Sequence, residues 1–145
     1  MTNFNKYVQD GEQFIREIAL ETNTPLDTTK ASRILRAVLH ALRRRLPVTT
    51  SLQLISQFPM LIKAIYVDGW KIRDESGTLQ HPGDFIEVVR EEGGPGLLRD
   101  LMTDYEVTEA IHAVFRVVKK HVSEGEIDDV LATLPLELRP LLADA

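Results

Sequence analysis

Apolar residues recur along most of this chain at the three- and four-residue spacing of amphipathic helices. A first helix is expected from about Tyr7 to Leu20, with Tyr7, Phe14, Ile15 and Ile18 on its apolar side. Thr24-Pro25 breaks that pattern, and Asp27 or Thr28 stands where a cap for the next helix belongs. The second helix, about Thr28 to Leu46, has the clearest pattern of all. At roughly 100° per residue, Ala31, Ile34, Leu35, Val38, Leu39, Ala41, Leu42 and Leu46 fill one arc. Lys30, Arg33, Arg36, His40, Arg43 and Arg44 fill the opposite arc.

Pro47 ends that helix. Thr50 with Gln53 has capping-box spacing, which predicts a short helix reaching Gln57. Pro59 suits the first turn of a further helix to about Val67, with Met60, Leu61, Ile62 and Ile65 as its apolar positions. From Asp68 to Gly83 the chain turns polar; Trp70 and Ile72 alternate there, compatible with a short hairpin turning at Asp74–Gly77. Phe85, Ile86, Val88 and Val89 restart a helical pattern, which Gly93-Gly94-Pro95-Gly96 is expected to stop. After a short apolar segment, Leu97–Met102, a helix spans about Tyr105 to Val122 with Ile111, Val114, Phe115 and Val118 inward. Ser123 and Glu126 form a second capping-box pair for a helix to about Thr133. Pro135 begins a last turn or two, and Pro140 is expected to break it.

The order of these signals repeats. Residues 35–66 shifted by 76 align without gaps on 111–142, and apolar faces apolar at 14 positions, against about nine for independent placement. Ala37-Val38 meets Ala113-Val114, Arg43-Arg44 meets Lys119-Lys120, Phe58-Pro59 meets Leu134-Pro135, and Lys63 meets Arg139. Upstream, Phe14-Ile15 resembles Phe85-Ile86 at an offset of 71, which implies five extra residues near the glycine cluster. The expectation is an all-α single domain, 1–145, built as a tandem pseudo-symmetric repeat sharing one core. Repeat one is about 5–67, the linker 68–83 and repeat two about 84–142.

The stretch Arg33-Ile-Leu-Arg-Ala-Val-Leu-His-Ala-Leu-Arg-Arg-Arg-Leu-Pro47, with Gln57-Phe-Pro-Met-Leu-Ile62 and Asp68-Gly-Trp70, resembles the bacterial family called domain of unknown function 2267. So do Asp84-Phe-Ile86 and the run Phe115 to Leu142, including Ser123-Glu-Gly-Glu126 and Leu134-Pro135. The resemblance covers nearly the whole chain and implies an all-helical, two-repeat bacterial protein. These are apolar and capping patterns, so it supplies no active site.

Composition narrows the class without naming a function. The 145 residues suit one domain able to bury a sizeable core. No cysteine means no disulfide, no thiol catalysis and no cysteine-ligated zinc. Residues 1–10 lack the apolar run of a signal peptide, and the densest apolar stretch, Phe58 to Val67, is interrupted by Pro59 and Lys63. A soluble cytoplasmic protein is expected. The net charge is −5, which argues against general affinity for nucleic acid. Residues 1–80, however, carry 11 Lys and Arg against 8 Asp and Glu, whereas residues 81–145 carry 6 against 14. Such a chain can pair its own halves, associate with itself, or offer a basic face to an acidic partner.

The residues with chemistry are few. None of the five serines lies on a strand-to-helix elbow, and the Gly93–Gly96 cluster lacks the lysine and hydroxyl of a phosphate loop. His112 and His121, nine residues apart, point oppositely from one helix; His40 belongs to a polar arc, and His81 stands alone. No catalytic, metal or cofactor site is expected. Glu124, Glu126, Asp128 and Asp129 crowd a helix start, where carboxylates favour the exposed amides. The strongest hint is the second helix, with six Lys and Arg and no acid between Lys30 and Leu46. Its cations need compensation from the acidic half, from an acidic protein, or from nucleic-acid phosphates. A membrane is excluded because the apolar arc belongs to the core. The leading expectation is a non-catalytic interaction or structural module using Lys30, Arg33, Arg36, His40, Arg43 and Arg44. Nucleic-acid binding by the same helix is the alternative, and a further one is a small apolar ligand in an inter-repeat cleft near Tyr66 and Trp70.

Overall fold

The computed structural model describes residues 3–72 and 79–145. Among these residues the fold is all-α, with eight helices and no strand: α1 (Phe4–Glu21), α2 (Thr28–Arg45), α3 (Val48–Ile55), α4 (Met60–Val67), α5 (Pro82–Asp100), α6 (Asp104–His121), α7 (Glu124–Thr133) and α8 (Arg139–Ala143). A 3-10 turn, Leu136–Leu138, leads directly into α8. The hairpin expected at Asp74–Gly77 falls outside the described residues, and Trp70 to Ile72 on its approach are in no regular element.

Local chemistry sets most helix starts. Asp27 accepts the Lys30 amide at 2.9 Å, and Thr103 accepts that of Glu106 at 3.1 Å while Glu106 accepts the Thr103 amide in return. Ser123 accepts from the Glu126 amide at 3.3 Å. Two expectations fail. Thr50 caps nothing: Pro47, with ψ 146°, already turns the chain into α3, so Thr50 lies inside the first turn and is buried. Pro140 does not break the last helix but sits in its first turn, where its missing N–H has no partner to lose. The glycine cluster interrupts the helical path where its glycines and proline predict, dividing α5 into two helical segments. Gly94 takes φ 64° and ψ −163°, a region open essentially to glycine, and Pro95 restarts the helix beyond the kink.

The buried apolar side chains form one connected cluster drawn from all eight helices. Helix α2 lies at its centre, packing on α1, α4, α5 and α6, with α5 its most extensive neighbour; α1 also packs on α4 and α6, and α3 packs on α7. All eight residues of the α2 apolar arc are buried, each large one contributing roughly 1.5–3 kcal/mol. Phe14 joins the halves, its ring meeting those of Phe58 at 6.2 Å and His121 at 4.8 Å. The element bounds recur along the chain. Thr28 and Asp104 open α2 and α6 76 positions apart, as do Val48 and Glu124 for α3 and α7. Met60–Val67 has Leu136–Ala143, the turn plus α8, at the same spacing.

Candidate functional site

The polar arc of α2 divides into an exposed and a buried part. Arg33, 41% exposed, donates through Nε and Nη2 to Asp100 at 3.0 and 2.8 Å. Arg36, 47% exposed, pairs with Asp68 at 2.7 Å and holds that carboxyl below its ordinary range. Arg44 reaches Glu91 and Glu92 at 3.1 and 3.4 Å. Lys30 lines a cavity of about 260 Å³ with Glu21, Glu106 and Glu109, beside the α1–α2 turn where Asn23 adopts φ 59°.

His40 and Arg43 stand differently from the wheel's expectation: they are buried, at 4% and 8% exposure. The cause is the end of α4, which meets this part of α2. A helix C-terminus leaves carbonyls without partners. His40 Nε2 donates to the Ile65 carbonyl at 2.7 Å, and Arg43 Nη1 to those of Tyr66 and Asp68, each at 2.7 Å. Burial pushes the His40 imidazole below its usual pKa, helped by Arg43 and Arg36 and opposed by the bond to Ile65. Its Nδ1 faces Glu92 at 3.8 Å. The same corner holds Tyr66, fully buried, whose hydroxyl lies 2.6 Å from Ser51 Oγ and whose pKa burial raises. Trp70 is half-buried and stands edge-on to Tyr66 at 5.6 Å. Tyr66 thus belongs to the core, with its polar tip already partnered.

An analogous arrangement joins α6 to its neighbours. Lys119 Nζ donates to the carbonyls of Leu142, Ala143 and Ala145 at 3.2, 3.1 and 3.0 Å. Glu21 of α1 binds Arg116 at 2.8 Å and Lys120 at 3.1 Å, and the Arg116 hydrogen bond leads in lowering its pKa. His121 meets Glu17 at 2.6 Å. For the α2 pairs of Arg33 and Arg44, composition gave one signal, the acidic excess of residues 81–145 from which Asp100, Glu91 and Glu92 come.

The remaining candidates stay apart. His81 contacts Glu137 at the surface, and His112 lies 4.0 Å from Glu109. Glu124 and Glu126 occupy the first turn of α7, and no cluster of three His, Asp or Glu among the described residues is arranged to hold a metal ion. A larger cavity, about 500 Å³, opens between α1 and α2 and is lined by Glu12, Ile15, Arg16, Thr28, Thr29, Ser32 and Arg33. Among the described residues no helix is long and apolar enough to cross a membrane.

The chain belongs to the family described as Uncharacterized conserved protein (DUF2267), which matches residues 11–141. No curated protein matches it.

Proposed function

Membership in an uncharacterised family carries no activity with it, and we propose that the chain is a non-catalytic, cytoplasmic interaction or structural module whose α2 helix engages an acidic surface. One observation carries the reading. Arg33 and Arg36 remain 41% and 47% exposed although each is already oriented by a carboxylate. Much of the ordering cost of a second, intermolecular contact is therefore met within the fold. Lys30 extends this row by one step, whereas burial removes His40 and Arg43 from it. The test is capture from bacterial lysate by wild-type protein and by a Lys30→Glu/Arg36→Glu variant, with and without nuclease. Enrichment of one protein by wild type alone, indifferent to nuclease, supports the reading; equal recovery by both baits overturns it.

The cavity between α1 and α2 favours a second reading, in which the anion is phosphate of a nucleic acid. Arg16, Arg33, Thr28, Thr29 and Ser32 line it, together with Glu12. Binding of labelled DNA or RNA that falls steeply with salt, and is weakened by Arg16→Glu, would favour this over the first.

We also infer that the chain is one domain made of two tandem units related by an approximate two-fold axis, about 5–67 and 84–142. Arg43 and Lys119 are 76 positions apart, and each donates to a carbonyl, Tyr66 or Leu142, at the same spacing. Glu21 and Glu92 share the offset of 71 seen for Phe14 and Phe85. Each faces two basic side chains of the opposite half, Arg116 and Lys120 or His40 and Arg44.

A further inference from the structure

Helix α7 takes part of its cap from the other half of the chain. In an ordinary capping box, as at Thr103 and Glu106, the carboxylate of the third helical residue accepts the amide of the cap residue, here at 3.2 Å. In α7 those residues are Ser123 and Glu126, and only half of the box is made. Ser123 Oγ accepts the Glu126 amide at 3.3 Å, but the Ser123 amide donates to Gln57 Oε1 at 2.7 Å. Gln57 Nε2 in turn donates to Ser123 Oγ at 3.3 Å. Gln57 follows α3, the helix on which α7 packs. Glu126 Oε1 is left buried with no hydrogen-bond partner among the described residues. Burial, with Asp129 adding to it, raises the pKa of that carboxyl. Helix α3 carries no charge to offset this, and Arg139 of α8 is turned to the Leu134 carbonyl. The clip has no counterpart at the spacing of 76, because Pro47 stands there and has no N–H to give.

We propose that α7 is a hinged helix with two alternative caps, held against α3 by Gln57 when docked and capped by its own Glu126 when it swings away. Undocking exchanges one hydrogen bond of the Ser123 amide for another, so that amide is satisfied in both positions. It also brings the stranded carboxylate oxygen to a donor. Little else holds the helix down. Of its ten residues only Ile127 and Val130 are buried, whereas α2 buries ten of eighteen and α6 eight of eighteen. Gln57 and Ser123 are themselves exposed, so water competes for the clip. The hinge points are Val122 and Leu134, extended residues with ψ 140° and 143° at the two ends of α7. Both are anchored in the core, at 6% and 5% exposure. The motion opens the seam between the two halves at α3 and α7 and uncovers the side of α7 that carries Ile127 and Val130.

Amide hydrogen exchange, followed residue by residue by NMR on the whole chain, tests the proposal. The amides of α7 are expected to exchange about 100-fold faster than those of α2, through a local opening. Glu126→Ala removes both the alternative cap and the stranded oxygen, and slows α7 exchange about 10-fold. Gln57→Ala removes the clip and speeds α7 exchange about 10-fold, while Glu126, now capping Ser123, loses its raised pKa in a carbon-13 titration. Both variants leave α2 exchange unchanged. Protection in α7 equal to that in α2 overturns the proposal. So does faster α7 exchange in Glu126→Ala, the result for a carboxylate that only supports its own helix start. Exchange in Gln57→Ala that matches wild type overturns it as well.

Discussion

The corner where α2 meets α4 and the corner where α6 meets α8 solve one problem with different chemistry. Each must supply donors to the last carbonyls of a short helix. At α2 a guanidinium of 8% exposure and an imidazole of 4% do so, in contact with Tyr66 and Ser51. At α6 the donor is Lys119, an ammonium of intermediate burial that reaches three carbonyls near the chain end. Where α2 has His40 turned inward, the position 76 residues later is Arg116, which stays outside and binds Glu21. The comparison teaches that one backbone demand tolerates a wet or a dry solution. Only the dry one makes removal costly, because the carbonyls left behind are then buried without water.

The sharpest way to break the comparison is to remove both cations. Arg43→Met is expected to cost roughly 2–4 kcal/mol in urea unfolding, against about 1 kcal/mol or less for Lys119→Met. Equal losses would mean that burial does not separate the corners. Next comes the element that spoils the match between halves, the kink in α5. Gly94→Ala forces a side chain into φ 64°, ψ −163°, with an expected loss of about 1–3 kcal/mol by the same measurement. Smaller effects distinguish the histidines by sign. His40 has its pKa lowered by burial, so the unfolded chain binds its proton first, and stability falls as pH drops below about 6.5. His40→Gln should flatten that acid limb and cost about 1 kcal/mol at pH 8. His81 is raised by its hydrogen bond to Glu137, so its contribution is present below the same pH and fades as pH rises through the raised value. His81→Gln should remove that fading, the smallest change of the series, because the pair is exposed.

Much of the fold was legible in the chain itself. The arc from Ala31 to Leu46 is buried as its spacing requires, Asp27 and Ser123 cap the helices that follow them, and the offset of 76 reappears in the helix bounds. Thr50 and Pro140 misled for one reason. Capping-box spacing and a proline both report local options, and the backbone angles at Pro47 and Leu138 selected between them. The candidate site was less legible. A helical wheel puts His40 and Arg43 on the same polar arc as Arg36, because it sees only their angle around α2.

What the sequence determined by itself is the set of helices and the side each one buries. Those depend on period, on prolines and glycines, and on caps within three residues. It also determined that six cations on α2 needed compensation, since no acid lies among them. Which carboxylates and carbonyls provide it was decided by the tertiary structure alone. Asp100, Asp68 and Glu92 are distant in the chain, and the carbonyls at the end of α4 carry no sequence signal. Packing brings them to α2, and their unsatisfied hydrogen bonds pull His40 and Arg43 inward while leaving Arg33 and Arg36 facing solvent.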